Sequence, residues 1–102
     1  MTLQTEKRAL LTVITEAAIE QTLLRDLERL GVLAYTVSDA RGRGSRGVRD
    51  AAWGEAANIR LEIICLRAQA ESVLAHLQTR YFADYAMVAF LQDVEILRPE
   101  KF

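Results

Sequence analysis

The chain has 102 residues, 51% of them apolar, with 13 basic and 14 acidic side chains for a formal net charge of −1. That length carries one domain with one core, and the near-neutral balance disfavours general nucleic-acid binding or attachment to an anionic membrane. A single cysteine, Cys65, excludes an intrachain disulfide framework, and no apolar run approaches the ~20 residues of a membrane span.

Taken in order, Met1-Thr2-Leu3-Gln4-Thr5-Glu6-Lys7-Arg8 lacks the apolar core of a signal peptide, so a soluble protein of a reducing, bacterial-type cytoplasm is expected. Ala9–Thr15 is short, β-rich and apolar on both faces, as a central strand would be. Ile19, Leu23, Leu27 and Leu30 recur at helical spacing, with Gly31 where a C-terminal cap belongs. Val32–Ser38 predicts a second strand. Ala57–Leu66 predicts a third, alternating Ile59, Leu61, Ile63 and Cys65 against Asn58, Arg60, Glu62 and Ile64. Ala70, Val73, Leu74 and Leu77 mark a second helix, and Tyr85–Leu97 supplies the last strand.

The order βαββαβ predicts an α+β fold of the ferredoxin-like kind, a four-stranded antiparallel sheet with both helices on one face. Neither face of the first and last strands is polar, since Leu10, Thr12 and Ile14 oppose Ala9, Leu11 and Val13, while Met87, Ala89 and Leu91 oppose Val88, Phe90 and Val94. The sheet face without helices is therefore expected to be an oligomer interface.

Between the second and third strands runs Arg41-Gly42-Arg43-Gly44-Ser45-Arg46-Gly47-Val48-Arg49, with four arginines and three glycines in nine residues. Glycines let successive N–H groups converge on one point, and guanidinium forks match phosphate and carboxylate oxygens, so the stretch is a candidate anion site. Trp53, between Ala52 and Gly54, is costly to leave bare and is expected to pack on a partner, a neighbouring subunit or the loop itself. Enzyme chemistry finds no catalytic pair. The only histidine, His76, lies opposite the apolar stripe of its helix and reads as a solvated residue, and one Cys with one His meets no usual metal-ligand count. Cys65 reads as a small buried hydrophobe, and Tyr81 and Tyr85 as core or interface residues.

The order of elements, the strand end Tyr35-Thr36-Val37, the loop Gly42–Arg49 and the segment Tyr81-Phe82-Ala83-Asp84-Tyr85-Ala86 together resemble the PII-like signalling proteins, most closely the SbtB-type and carboxysome-associated branches. The resemblance spans nearly the whole chain. It implies a single domain over 1–102 with a flexible T-loop at 41–56, and a homotrimer whose inter-subunit clefts bind an adenine nucleotide. By motif, it puts Thr36 on the adenine edge, Ile64 against the ring, and Gly42, Gly44, Ser45, Arg46 and Arg49 around the phosphates. Asp84, Tyr85 and Ala86 then form the opposite wall, and Arg43, Arg46 and Arg49 are placed to share a bicarbonate.

The segment Phe82–Met87 lacks the phosphate-binding lysine of the wider family, which shifts the expected effector from ATP toward AMP, ADP or cyclic AMP. No tyrosine lies between Arg41 and Ala57 to accept a uridylyl group. Bicarbonate as second effector, no metal, and a T-loop partner that is a bicarbonate transporter or a carboxysome-related protein complete what the resemblance implies. It places the protein in the cytoplasm, at a carboxysome or beside a membrane transporter. The alternative is an SbtB-type transporter regulator, or a ferredoxin-like module that docks protein or RNA without sensing a nucleotide. Against RNA, Ala57–Leu66 carries no aromatic side chain to stack a base.

Overall fold

A computed structural model describes residues 2–44, 47–49 and 57–102, with only the backbone course given for 43–44 and 47–49. Strand β1 (Glu6–Glu16) is followed by a 3-10 turn (Ala17–Ile19), helix α1 (Glu20–Arg29) and strand β2 (Thr36–Ala40). Two short strands, β3 (Gly42–Gly44) and β4 (Gly47–Arg49), precede β5 (Asn58–Cys65), helix α2 (Arg67–Arg80), β6 (Val88–Ile96) and a 3-10 turn (Pro99–Lys101). The main sheet runs β2-β5-β1-β6 with every neighbouring pair antiparallel, and β3 and β4 form a separate ribbon. This is the expected ferredoxin-like arrangement.

The register sorts the side chains. Ala9, Leu11 and Val13 stand opposite Cys65, Ile63 and Leu61, and with Leu23 and Leu27 of α1 and Ala70, Val73 and Leu77 of α2 they make the core. Each helix buries one stripe onto the same sheet face, which is why the apolar spacing was readable. Cys65 is buried there as expected, and burial pushes its thiol up, so it stays protonated and packs as an apolar group.

Helix α1 ends in a two-bond C-terminal closure. The Gly31 N–H donates to the Glu28 carbonyl at 3.0 Å and the Val32 N–H to that of Leu27 at 2.9 Å, while Gly31 takes φ of +86°. Space for a Cβ exists, since the nearest atom would be Gln69 Nε2 at 3.6 Å, so backbone conformation alone demands glycine. Gly31→Ala is expected to cost about 1–2 kcal/mol of stability, read from the urea midpoint.

The same closure moves β2. Val32 is buried beside Leu27 and its N–H is consumed by the helix end, so the strand predicted from Val32 starts at Thr36 and runs on to Ala40. Strand β1 is longer than its apolar stretch because its two neighbours are staggered, β6 pairing Glu6–Ile14 and β5 pairing Ala9–Glu16. Strand β6 starts at Val88, since Tyr85 belongs to the turn that follows α2.

The face away from the helices is apolar over only half its width. Leu10, Thr12 and Ile14 of β1 adjoin Gln92, Phe90 and Val88 of β6, and Phe90 and Val88 are exposed. Toward β2 the face carries Arg60, Glu62, Thr36 and Ser38 instead. At its centre Thr12 is fully buried with its hydroxyl unpartnered among the described residues. The interface expected on this face therefore has a greasy side, on the first and last main strands from which it was expected, and a polar side on β5 and β2.

Candidate functional site

The ribbon is the first part of the site. β2 ends at Ala40 and β3 begins at Gly42, so the arginine stretch leaves the sheet directly; Gly42 stands opposite Arg49, Arg43 opposite Val48 and Gly44 opposite Gly47. A stretch read as a loop thus contains a backbone-paired hairpin. Gly42 has an ordinary φ and open space where a Cβ would be, so this conformation does not use its freedom. Ser45, Arg46 and Trp53 lie outside the described residues.

Thr36 and Ile64 are brought together. Thr36 pairs with Glu62, two residues from Ile64 on the same strand, and both side chains are on the helix-free face with Thr36 exposed and Ile64 half-buried. An apolar surface beside a hydroxyl suits a heteroaromatic ring with polar edges.

Asp84, Tyr85 and Ala86 are elsewhere. They occupy the turn between α2 and β6, where the Asp84 and Tyr85 N–H groups both donate to the Tyr81 carbonyl at 3.0 Å. The Ala86 N–H donates to Glu16 Oε1 at 3.0 Å, fixing the turn to the end of β1. Tyr85 is exposed, with its ring centroid 5.9 Å from that of Tyr81. Because β5 and β1 separate β2 from β6, Thr36 lies about 14 Å across the sheet from this turn, three strand spacings away. The two sets also differ in level along the strands: the turn is fixed beside Glu16 and leads into edge strand β6. Thr36 on edge strand β2 lies level with Thr12, and Ile64 on β5 level with Leu10, four and six residues back along β1. No one ligand of nucleotide size spans them with contacts from both within one chain.

Sequence reasoning missed a polar cluster between the helices. Asp26 on α1 is buried, and its Oδ2 accepts the Tyr81 hydroxyl in a short contact, lies 2.8 Å from Arg80 Nε and 3.3 Å from His76 Nε2. Arg29 reaches Oδ1 at 3.6 Å. Burial pushes the Asp26 carboxyl up, but the Tyr81 hydroxyl, His76 and Arg80 outweigh it and hold it below the usual carboxylate range. His76 is therefore not a solvated residue: its side chain is two-thirds covered and its ring meets Tyr81 edge-on at 6.4 Å. The signal was present in Asp26, a charge one position before Leu27 in the apolar stripe of α1. Tyr81 is buried, as its reading as a core residue required. Among the described residues no group of three His, Cys, Asp or Glu side chains could hold a metal, and no helix is long and apolar enough to cross a membrane.

An antiparallel ferredoxin-like sheet, a half-apolar open face and an arginine ribbon between the second and third main strands define a PII-like protein. The family model of nitrogen regulatory protein P-II matches residues 8–101, and the chain belongs to that family. A crystal structure from Thermus thermophilus, assigned to the PII-like signalling proteins, is 39% identical over 98% of this chain and 99% of its own, with a TM-score of 0.82. CPII of Thiomonas intermedia, bound to ADP and bicarbonate, is 25% identical over 99% of both chains with a TM-score of 0.86. The same protein bound to ADP, AMP and bicarbonate is 26% identical over 99% of this chain and 98% of its own, with a TM-score of 0.87.

Proposed function

We propose that this chain is a homotrimeric regulator that binds an adenine nucleotide between subunits, senses bicarbonate, and signals inorganic-carbon status through the T-loop at 41–56. The observation that carries this reading is the separation of the two walls onto opposite edges of one sheet. Thr36 and Ile64 of one subunit meet Asp84, Tyr85 and Ala86 of the next only when sheets are set side by side around an axis. CPII, which this chain resembles over its full length, holds ADP, AMP and bicarbonate, and supports the choice of effectors.

In this reading Thr36 donates to or accepts from the adenine edge and Ile64 packs on the ring. Gly42, Gly44, Ser45, Arg46 and Arg49 surround the phosphates, and Arg43, Arg46 and Arg49 share their positive charge between phosphate and bicarbonate. With no lysine in Phe82–Met87, ADP, AMP or cyclic AMP suits the site better than ATP. Two anions held by one set of guanidiniums order the loop together, which gives a partner a surface to read. The partner is a bicarbonate transporter or a carboxysome-related protein, in keeping with the SbtB-like or carboxysome-associated branch, and the protein works in the cytoplasm without catalysing a reaction.

The test is calorimetric titration with AMP, ADP, ATP and cyclic AMP, each with and without bicarbonate, on protein of known oligomer mass. One site per subunit and tighter nucleotide binding in bicarbonate, by about 1–3 kcal/mol of coupling, are expected. Arg46→Ala and Arg49→Ala should each weaken nucleotide binding by about 1.5–3 kcal/mol if the guanidiniums make charge-assisted contacts. Unchanged affinity in both variants would remove the ribbon from the site.

A further inference from the structure

The Asp26 cluster has no part in the binding contacts just described, yet it ends at the turn that carries one wall. Tyr81 is the hinge of that turn. Its own N–H closes α2 on the Leu77 carbonyl at 2.9 Å, and its carbonyl takes the N–H groups of both Asp84 and Tyr85. Its hydroxyl is held by Asp26, and its ring carries Arg80 on one side, with the guanidinium carbon 5.5 Å from the centroid, and Tyr85 on another. At the far end of the turn Glu16 holds the Ala86 N–H. A segment gripped at both ends by buried or sheet-anchored groups loses little freedom when a ligand arrives, which is how affinity is gained without contact.

We infer that Asp26 and Tyr81 are positioning residues for the nucleotide wall: the carboxylate on α1 fixes the tyrosine that sets where Asp84, Tyr85 and Ala86 present themselves. The inference rests on the proposed assignment of that turn as a wall of the cleft. A cluster serving only to join α1 to α2 would affect stability and leave binding alone.

Tyr81→Phe keeps the ring and removes the hydroxyl, while Asp26→Asn keeps an acceptor for it. Gly31→Ala, which strains the backbone just beyond α1 and removes no side-chain group of the cluster, serves as a control for lost stability. Tyr81→Phe is expected to shift the amide resonances of Asp84 and Tyr85 in ligand-free protein and to weaken ADP binding about three- to tenfold. Gly31→Ala should bind ADP as the unaltered protein does, and Asp26→Asn should bind more tightly than Asp26→Ala. ADP affinity in Tyr81→Phe equal to that of the unaltered protein or of Gly31→Ala overturns the inference. Should Tyr81→Phe fail to fold, the Asp26→Asn and Asp26→Ala pair decides, and equal affinity in the two overturns it. If the unaltered protein binds no adenine nucleotide, the proposed function falls, and the amide shifts alone then judge the positioning: unmoved Asp84 and Tyr85 resonances in Tyr81→Phe reject it.

Discussion

Phe90→Asp is expected to leave each chain folded, convert the proposed trimer to single chains in sedimentation, and abolish the proposed nucleotide binding at the same time. Phe90 stands on the helix-free face opposite Thr12, is 41% exposed in the single chain, and is absent from the core under the helices. Its replacement therefore removes little intrachain packing. In an interface formed on that face, the new carboxylate would be buried among Leu10, Ile14 and Val88, a cost of several kcal/mol per chain repeated at each contact. Binding should vanish with assembly because the two walls lie on opposite edges of the sheet. Circular dichroism, sedimentation equilibrium and ADP titration separate the outcomes. An unchanged mass would mean that this face is not the interface. A folded single chain with normal ADP affinity would mean that the cleft lies within one subunit, against the geometry described above.

Asp26→Ala carries the largest expected loss of stability, about 2–4 kcal/mol. The substitution strands the buried Tyr81 hydroxyl and releases Arg80 and His76 from a common partner. Asp26→Asn should cost less, since an amide oxygen still accepts from Tyr81. The two variants also differ from the natural chain in acid. The Asp26 carboxyl is held below its ordinary value in the folded state, so the unfolded chain binds its proton first as pH falls. The stabilisation is then complete above the unfolded value, near pH 4, and is lost as pH drops through the lower folded value. Urea midpoints measured from pH 7 to pH 2 should converge between the natural chain and Asp26→Asn at the acid end. A gap that stays constant over that range would show that the charge on Asp26 contributes nothing to folding.

The elements were legible where one physical demand ruled the sequence. Leu23 and Leu27, and Ala70, Val73 and Leu77, repeat at helical spacing because each helix has one face to bury, and Ile59, Leu61, Ile63 and Cys65 alternate because β5 has one face on the core. Gly31 was legible for a different reason, a backbone angle that other residues adopt at a cost. Boundaries were less so. Val32 has the composition of a strand residue but is claimed by the end of α1, and the charged ends of β1 are strand only because β5 and β6 lie alongside them.

The candidate site divides the same way. The ribbon stood out by residue type, Thr36 and the Asp84–Ala86 segment only through the resemblance to PII-like proteins, and the chain's membership in the P-II family follows from the pattern of elements and motifs along it. Local sequence encodes periodicity, turn chemistry and charge density, because those properties depend on residues within a few positions of one another. The Asp26–Tyr81 contact joins residues 55 positions apart, and the placing of Thr36 and Ala86 on opposite edges depends on the β2-β5-β1-β6 order. Both arise from which surfaces meet after the helices close onto the sheet. A buried carboxylate looks no different from a solvated one until the packing that surrounds it exists.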